Sequence, residues 1–375
     1  YWRYEMNFFT IHPDVYSTDE TLGNLPDLLD KMWLDQNVDS KSTLVVISGF
    51  ANYNGGVRFF DFFENHIKNG GQVITILGAS SSQRLSSTQV VKELVNRGVK
   101  VKLVNRKKLL HSKMYGCFSE DSDHQSLVIS SGNFTGPGMA LNVESSFLAD
   151  SATLSDMDFS WTDLLENIEK QGWQIFDVFR SYDETQPYNN LLYDEEKYVK
   201  SKTSELDIPE TEYLITTLSH NDTSRIVQRK NGTQYIWLSK NVMGYFPPLL
   251  IRNSRGIKKT YSAELELSYP QLNQTGLKGR VTFEADNNLD FRFLTTAKVY
   301  GTNVAKENDL AVIKNTGDNN YEVIFVKEGT PEYIALSSYA TDYIGNRGKR
   351  YGFIEKSTYD TIVKNNEKNL SNDRA

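Results

Sequence analysis

The stretch Leu109–Cys117, LLHSKMYGC, places a histidine and a lysine two residues apart inside an apolar run. We predict a strand here, and residues two apart on a strand point to the same face. His111 and Lys113 would then present an imidazole and an ammonium side by side in the interior. A pair of this kind is most often a core histidine satisfied by a backbone carbonyl next to an unrelated lysine, so its surroundings must decide.

Those surroundings favour a phosphate site. The next predicted strand, SLVISSG, is followed by Asn133, with Ser131 two residues before it, and Glu144 comes eleven residues after Asn133. Lysine and asparagine bind non-bridging phosphate oxygens, histidine attacks phosphorus or protonates a leaving oxygen, and a glutamate can orient the histidine. We therefore predict that these residues converge at the ends of neighbouring strands.

A second histidine–lysine pair in the chain provides a control. His66 and Lys68 have the same spacing, but they fall in an amphipathic pattern over Gly55–Gly71 that predicts a helix. On a helix, a step of two residues points side chains in nearly opposite directions. No Ser-x-Asn follows this pair at the right distance, and we interpret it as solvated helix surface.

The first half of the chain alternates strand and helix patterns. Buried strands are predicted at Ser42–Phe50, Gln72–Ala79 and Val99–Asn105, with a helix over Ser87–Gly98 and a last helix over Ser160–Phe179. This alternation predicts an α/β domain with a mostly parallel sheet.

The second half has a different pattern. Arg180–Glu212 is polar and acidic with weak periodicity, which is typical of a linker. Beyond it, seven short strands separated by turns predict an all-β barrel or sandwich: TEYLITTL, TQYIWLSK, AELELSY, GRVTFEA, FRFLTTAKVY, DLAVIKN and YEVIFVK.

Composition bounds the class of protein. The 375 residues carry a net charge of −7, which by itself argues against nucleic-acid binding, but the charge is unevenly spread. From Leu206 onward there are 22 basic and 20 acidic residues, against 19 and 28 before it, so the halves are expected to have different roles. The single cysteine excludes an internal disulfide and favours a reducing cytoplasm. Paired Cys and His spacings of metal sites and long apolar runs are absent from the sequence.

His111-x-Lys113 followed by Ser131-x-Asn133 resembles the signature of the phospholipase D superfamily of phosphodiesterases. Phe118 stands where many members have an aspartate, a position that varies among the nucleases. Longer stretches in both halves are similar to restriction endonucleases of this superfamily: MNFFTIHPDVY, LVVISGFANYNGGVRFF, SSSQRLSSTQVVKELVNRGV, SSGNFTGPGMALNVE and YIGNRGKRYGFI.

The resemblance implies an α/β phospholipase-D-like nuclease and dimerisation domain at 6–180, an acidic linker at 181–209 and an all-β B3-like pseudobarrel that binds DNA at 210–375. It implies a type IIS restriction endonuclease of the bacterial cytoplasm that needs no metal or other cofactor. Superfamily members use two His-x-Lys motifs per site, so two chains are expected to form a homodimer with one active site. One His111 would form a phosphohistidine while the other protonates the leaving oxygen.

The resemblance also assigns site residues. The catalytic set is His111, Lys113, Ser131, Asn133 and Glu144. The set proposed to contact double-stranded DNA is Asp222, Thr223, Ser224, Arg225, Arg255, Arg280, Arg347, Lys349 and Arg350. Arginine reads guanine and lysine mostly holds phosphates. Without the resemblance, these basic loops would be interpreted as ordinary solvated loops.

Several alternatives stay open at this point. The chain could be a non-specific nuclease or phosphodiesterase of the superfamily, or a DNA-binding regulator with an inactive nuclease domain; a membrane route is not indicated. The remaining histidines, His12, His124 and His220, are predicted at the surface or in loops, with a phosphate contact open for His220. Cys117 is expected to be a buried packing residue. The acidic linker is either a solvated spacer or a phosphate mimic that covers the active site until DNA is bound.

Overall fold

The computed structural model describes residues 7–13, 15–35, 41–120, 124–198, 212–253, 259–284, 291–317, 319–344 and 348–372. The chain divides into two compact units, whose described parts are 7–198 and 212–372. The first is α/β and the second is dominated by strands, so the predicted order of fold classes is confirmed.

The first unit is built on one large sheet. Its described strands, in chain order, are β1 (Phe8–His12), β2 (Tyr16–Ser17), β3 (Thr43–Ser48), β4 (Gln72–Ala79), β5 (Lys100–Asn105), β6 (Lys113–Phe118), β7 (Gln125–Ser130), β8 (Glu144–Ala149) and β9 (Gln174–Val178). Their order in the sheet is β2-β1-β8-β7-β6-β3-β4-β5-β9.

Eight α-helical segments accompany this sheet in the described residues: α1 (Leu25–Asp30), α2 (Tyr53–Gly56), α3 (Phe60–Lys68), α4 (Thr88–Asn96), α5 (Gly136–Ala140), α6 (Ser151–Asp156), α7 (Trp161–Lys170) and α8 (Glu195–Tyr198). A π-helical turn, Lys31–Asp35, continues α1, and a 3-10 turn spans Pro187–Leu191. Local capping explains several starts. Asn24 and Asp27 form a capping box on α1, and Ser87 accepts from the Val90 N–H at the start of α4.

The prediction of a mostly parallel sheet is wrong. Among the described strands, only β3–β4 and β4–β5 pair in parallel, and the other six neighbouring pairs are antiparallel. The helical crossovers around α3 and α4 make the two parallel pairs, whereas short connections such as the one between β6 and β7 allow antiparallel pairing. The predicted last helix is also wrong in its second half, because Gln174–Val178 forms β9 at the sheet edge beside β5.

The predicted linker is only partly a linker. Residues 181–198 pack on the first unit: the Ser80 N–H donates to the Leu191 carbonyl, and the Thr88 N–H donates to the Tyr193 carbonyl. Buried Glu195 accepts from the Tyr53 N–H at 2.7 Å and from the Ser87 hydroxyl. These contacts give the acidic segment a folded role that composition does not show. Residues 199–209 of the predicted linker lie outside the described residues.

The second unit is one curved, barrel-like sheet. Its described strands are β10 (Glu212–Thr217), β11 (Tyr235–Leu238), β12 (Ile251–Asn253), β13 (Thr260–Tyr269), β14 (Gln274–Glu284), β15 (Phe291–Leu294), β16 (Leu310–Gly317), β17 (Asn320–Val326), β18 (Asp342–Ile344) and β19 (Lys349–Glu355). The path is β11-β15-β14-β13-β17-β16-β10-β19-β18, and β12 pairs with β13.

All seven strands predicted in this half are present, but the basic loops predicted to contact DNA are not loops throughout. Part of the stretch Ser219–Lys230 forms α9 (His220–Val227), because Ser219 and Asp222 make a capping box at its start. The other helices of the unit are α10 (Pro331–Ser337) and α11 (Lys356–Asn372), and 3-10 turns span Lys240–Tyr245, Pro270–Leu272 and Ala297–Val299.

Candidate active site and nucleic-acid interface

The sheet of the first unit brings the predicted catalytic residues to one edge. His111 lies two residues before β6, Ser131 and Asn133 follow β7, and Glu144 begins β8. Because β6, β7 and β8 are antiparallel neighbours, the start of β6, the end of β7 and the start of β8 lie at the same edge of the sheet. We call this edge the catalytic edge.

His111 and Lys113 are side by side, although His111 lies just outside the strand that was predicted to carry it. The Lys113 Nζ is 3.0 Å from His111 Nδ1, 3.3 Å from His111 Nε2 and 3.1 Å from the His111 carbonyl oxygen. His111 is exposed, whereas Lys113 is only 8% exposed and makes no ion pair with a described carboxylate. The pair therefore holds an ammonium against an accessible imidazole.

Burial and charge set the protonation of this pair. Partial burial, followed by the Lys113 ammonium, holds the pKa of His111 below its ordinary value of 6.5. Burial also lowers the pKa of Lys113, while the Glu144 carboxylate acts in the opposite direction. A histidine with a lowered pKa is neutral near pH 7 and keeps a lone pair available for attack on phosphorus.

Asn133 is oriented by β3. Its Oδ1 accepts from the Phe50 N–H at 3.3 Å and from the Ser48 hydroxyl at 3.5 Å. The Ser48 hydroxyl in turn accepts from the Phe134 N–H at 2.9 Å, so the end of β3 holds the loop after β7. Its Nδ2 makes no hydrogen bond to the residues described, so it is available as a donor to a phosphate oxygen.

Glu144 does not orient His111 within one chain, contrary to the expectation from sequence. It accepts from the Ser131 hydroxyl, and from Asn142 Nδ2 at 3.3 Å. The Ser131 hydroxyl also accepts from the Ser145 N–H at 3.0 Å, which fixes Ser131 between two strands. Glu144 acts on the histidine–lysine pair through its charge, which favours the Lys113 ammonium.

The control pair behaves differently from the prediction in one respect. His66 and Lys68 do lie on helix α3, and Lys68 pairs with Glu64 at 2.5 Å. His66, however, is buried, with Nε2 2.8 Å from the Ser42 carbonyl oxygen, so it is a satisfied core histidine instead of a solvated one. His66 contacts a backbone carbonyl and Lys68 pairs with a carboxylate, so the two side chains do not form a phosphate site together.

Other single residues divide between confirmation and correction. Cys117 is buried and packs 3.1 Å from Ser126 Oγ, as predicted, and burial raises the pKa of its thiol to about 11. His220 is exposed at the start of α9, and His124 lies in a loop. The prediction for His12 is wrong: it ends β1 at 1% exposure and is paired with Glu144 in the β1–β8 register.

In the second unit, two of the residues predicted to contact DNA, Asp222 and Lys349, are buried and paired with each other. Lys349 is 3% exposed; its Nζ lies 2.7 Å from Asp222 Oδ2 and donates to the Trp237 carbonyl at 2.6 Å. Asp222 is fully buried and also accepts from the Trp237 N–H and the Ser219 N–H. A direct DNA contact by either side chain would leave the other as an unpaired buried charge.

The remaining members of the predicted DNA-contact set differ in how far they are buried. Thr223 is buried and donates to the Ser219 carbonyl, Ser224 is half-buried, and Arg225 donates through Nε to the Asn231 carbonyl at 3.2 Å. Arg280 is half-buried on β14, where its Nε has no hydrogen-bond partner among the described residues. Arg255 and Arg347 lie outside the described residues.

Among the predicted DNA contacts that the structure describes, Arg350 is the exposed one. It is exposed on β19, donates through Nη2 to the Tyr343 hydroxyl at 2.8 Å, and stacks over the Tyr343 ring at 4.9 Å. Tyr343 is itself 60% exposed. The Arg350 N–H donates to Thr217 Oγ1 at the end of β10, the strand that leads into α9. The strand that carries Arg350, β19, therefore lies beside the strand that precedes α9.

The residues that the structure describes contain no group of three or more His, Cys, Asp or Glu side chains that could hold a metal ion. A further finding is that no helix in the described part of the chain has the length and apolar character needed to cross a membrane.

Comparison with known proteins adds a match in the second unit. Residues 206–365 match the family model of the DNA-binding domain of BfiI, a metal-independent restriction enzyme. This match supports the resemblance of the second unit to a DNA-binding domain of a restriction enzyme. No curated protein matches the chain.

Three solved structures are similar to part of the chain. Nuc from Salmonella typhimurium, a phospholipase D family member, is 12% identical over 46% of this chain and 99% of Nuc, with a TM-score of 0.30. Polyphosphate kinase from Porphyromonas gingivalis is 10% identical over 44% of this chain and 24% of the kinase, with a TM-score of 0.27. Phosphatidylserine synthase from Haemophilus influenzae Rd KW20 is 14% identical over 51% of this chain and 42% of the synthase, with a TM-score of 0.30. Because the identities and TM-scores are this low, we interpret the first unit from its own residues.

Proposed function

We propose that this chain is a metal-independent type IIS restriction endonuclease that cuts double-stranded DNA near a short asymmetric site. One observation carries the proposal: the Lys113 ammonium stands 3.0 Å from the His111 imidazole, at an edge that also holds Asn133 and Glu144. The second unit, similar to the DNA-binding domain of a restriction enzyme, supplies the substrate class.

The proposed reaction has two steps. In the first, a neutral His111 nitrogen attacks phosphorus, a phosphorus–nitrogen bond forms, and the bond to the leaving oxygen breaks as a second histidine gives that oxygen a proton. In the second step, this histidine takes a proton from water, the water oxygen attacks phosphorus, and the phosphorus–nitrogen bond breaks. His111 is suited to the first role by its exposure and its lowered pKa.

Negative charge develops on the phosphate oxygens during the reaction, and hydrogen-bond donors that the fold already holds in place stabilise it. Lys113 is held against His111, whose carbonyl oxygen accepts from Nζ at 3.1 Å, and Asn133 is held by the end of β3. Donors that are oriented before the reaction need no reorganisation when charge develops, which is the main source of electrostatic catalysis. Lys113 and its copy in a second chain would then do the work that a divalent cation does in other nucleases.

A homodimer is part of this proposal. Among the described residues, each chain offers one His-x-Lys pair at a strand end, and the mechanism needs two histidines. Large apolar side chains are exposed close to the catalytic edge: Ile129 at 48% on β7 and Val143 at 68% directly before Glu144. Apolar surface at such a place is suited to an isologous contact that joins two catalytic edges.

The acidic segment remains a candidate for control of the site. If it covers the catalytic edge as a phosphate mimic, specific DNA binding would have to displace it. Glu195 is not available for this role, because it is buried against Tyr53 and Ser87. The exposed Glu184 and Glu196 are better placed to repel DNA.

Digestion of a sequenced plasmid in EDTA, with the ends mapped, tests the proposal. We expect a fixed cut position near one short sequence, and we expect His111→Ala to abolish cutting while specific DNA binding is kept. Lys68→Ala changes the exposed lysine of the His66–Lys68 control pair; it is the matched variant and should cut normally. Cutting only after magnesium is added would overturn metal independence, and cutting without sequence preference would favour a non-specific nuclease.

Sedimentation of the same preparation tests the assembly. The active species should be a dimer, and Ile129→Glu should shift it toward monomer and reduce cutting. An active monomer at assay concentration would contradict the shared site. A folded dimer that binds specific DNA but never cuts would identify a regulator with an inactive nuclease domain.

A further inference from the structure

A row of three buried polar side chains runs behind the catalytic edge, and we call His12, Ser146 and Ser130 the polar row. His12 Nε2 lies 3.2 Å from Ser146 Oγ, and Ser146 Oγ lies 2.8 Å from Ser130 Oγ. The three residues are 1%, 2% and 8% exposed. The row crosses three neighbouring strands, β1, β8 and β7, on the face that also carries Lys113.

The row ends at the loop that carries two catalytic residues. The Gly132 N–H donates to Ser130 Oγ at 2.9 Å, and the Gly132 carbonyl accepts from the buried Tyr115 hydroxyl at 2.9 Å. A Cβ at Gly132 would stand 2.4 Å from the Gly138 carbonyl oxygen, so the peptide is also confined on a third side. Because Gly132 lies between Ser131 and Asn133, the position of this one peptide fixes both side chains.

His12 sits at the far end of the row in an unusual state. Its Nδ1 is buried and has no hydrogen-bond partner among the described residues. Burial lowers the pKa of His12 to about 4, so the ring is neutral at neutral pH and pairs with no charge. An apolar side chain would fill this interior position without an unpaired nitrogen, and a buried polar atom of this kind calls for a reason. Its one hydrogen bond, to Ser146, is the feature that an apolar side chain could not supply.

We propose that His12 is a positioning residue of the catalytic edge, which acts through Ser146 and Ser130 on the Gly132 peptide. The bond to His12 fixes the Ser146 hydroxyl, the Ser146 hydroxyl fixes Ser130, and Ser130 holds the Gly132 N–H. The row thus sets where Ser131 meets Glu144 and where the Asn133 amide points. His12 does not contact substrate in this scheme. The inference rests on the proposed nuclease function for its kinetic readout, but the positioning itself can be measured without catalysis.

The test compares four variants of the full chain. His12→Leu removes the bond to Ser146, His12→Gln keeps an amide nitrogen near the place of Nε2, and Ser146→Ala breaks the row at its centre. Thr10→Val is the matched control: Thr10 lies on the same strand, pairs with Ser146 in register, is fully buried, and has an unpaired hydroxyl. If His12→Leu fails to fold, Ser146→Ala gives the same comparison without a change in the ring.

Four quantities are measured for each variant. They are the single-turnover cleavage rate at saturating DNA in EDTA, the Kd for specific DNA, amide hydrogen exchange of the segment 131–133, and thermal stability. We expect His12→Leu and Ser146→Ala to lower the rate by about 10- to 100-fold, because small misplacements of catalytic groups have effects of this size. The Kd should stay within about twofold, since the cost of misplacement falls on the chemical step. Exchange at 131–133 should become faster, His12→Gln should recover most of the rate, and Thr10→Val should match the wild type.

Two outcomes would overturn the positioning role. One is an unchanged rate together with unchanged exchange in both His12→Leu and Ser146→Ala. The other is a loss of rate that merely follows a loss of thermal stability and that His12→Gln does not recover. If the wild type itself does not cut DNA, the proposed function fails, and the exchange measurement alone decides whether the polar row holds the Gly132 peptide.

Discussion

Two lysines, one in each unit, are almost fully buried, and their surroundings differ in one respect. Lys349, at 3% exposure, has the Asp222 carboxylate at 2.7 Å and the Trp237 carbonyl at 2.6 Å. Lys113, at 8% exposure, has the His111 imidazole at 3.0 Å and no carboxylate within ion-pair distance in the described part of the chain. A buried charge without a partner costs folding free energy, so the comparison separates a structural lysine from a functional one.

The same contrast separates the two sets of predicted site residues. At the catalytic edge, the structure gathers His111, Lys113 and Asn133, leaves the His111 ring exposed, and leaves Asn133 Nδ2 without a hydrogen bond to the described residues. In the second unit, part of the predicted DNA-contact set is used to build the domain: Asp222 caps α9 and pairs with Lys349. Arg350, in contrast, is exposed on β19 and keeps its charge toward solvent.

Breaking the structural pair should give the largest effect on stability. We expect Lys349→Met to lower the free energy of unfolding by about 3–5 kcal/mol, because it leaves the Asp222 carboxylate buried without a partner. The double variant Lys349→Met with Asp222→Leu should lose clearly less, since no uncompensated charge remains. Urea unfolding of the three proteins measures this. A Lys349→Met protein as stable as the wild type would show that the ion pair is not structural.

Removal of the functional lysine should have the opposite profile. We expect Lys113→Met to lower the cleavage rate by about 10²–10³-fold, the usual cost of one donor to a developing oxyanion. Its stability should not fall at neutral pH: burial lowers the pKa of Lys113 in the folded protein, so folding disfavours its ammonium there. Cleavage rates in EDTA and urea unfolding are the two measurements, and a destabilised but fully active variant would reverse the assignment.

Arg350 offers a smaller effect on recognition. We expect Arg350→Ala to weaken specific DNA binding by about 1–3 kcal/mol if the guanidinium contacts a base, and to relax sequence preference at one position. Tyr343→Phe keeps the stacking ring and removes only the hydroxyl that holds Arg350, so it should lose less. Lys170→Ala, an exposed lysine of the first unit paired with Glu166, is the control. Equal losses for Arg350→Ala and Lys170→Ala would indicate a non-specific charge effect.

The smallest effect concerns protonation of the catalytic pair. Since Lys113 is one of the causes that lower the pKa of His111, we expect the His111 imidazole to titrate at a pH below 6.5 in the wild type and at a higher pH in Lys113→Met. NMR titration of the histidine ring in the DNA-free protein measures both values. Below this pKa the attacking His111 has no lone pair, and above it the second His111 has no proton to give, so the cleavage rate should peak near this pKa and fall on either side. An unshifted titration would mean that the lysine charge does not reach His111.

Sequence patterns predicted much of the fold because they reflect burial. The apolar runs of β3 and β4 and the strand runs of the second unit are visible as hydrophobic patterns, and the structure contains them all. Strand direction was not predictable in the same way, since periodicity carries no information on which strands become neighbours. The chain passes from β5 back across the sheet to β6, which pairs antiparallel with β3, and β6, β7 and β8 then follow one another as antiparallel neighbours.

The residues of the candidate site were predictable from the sequence, and the residues that support them were not. His111, Lys113, Ser131 and Asn133 are recognisable because they lie in two short motifs. His12 and Ser146 are 134 residues apart and have no spacing signal, and Lys349 meets Asp222 only through the folding of β19 beside β10. Glu195 was hidden in an acidic segment whose composition is typical of a linker. Pairings of this kind depend on tertiary contacts, which no local pattern contains.

The covalent intermediate tests the central claim most directly. Wild-type protein is mixed with its DNA in EDTA, quenched during the first turnover, and digested, and the peptide that contains His111 is examined by mass spectrometry. We predict a DNA phosphate adduct on His111 that rises and decays with cleavage, is absent from His111→Ala, and is retained in Lys68→Ala. An adduct on another residue, or cleavage that continues at the wild-type rate in His111→Ala, would contradict the assignment of His111 as the nucleophile.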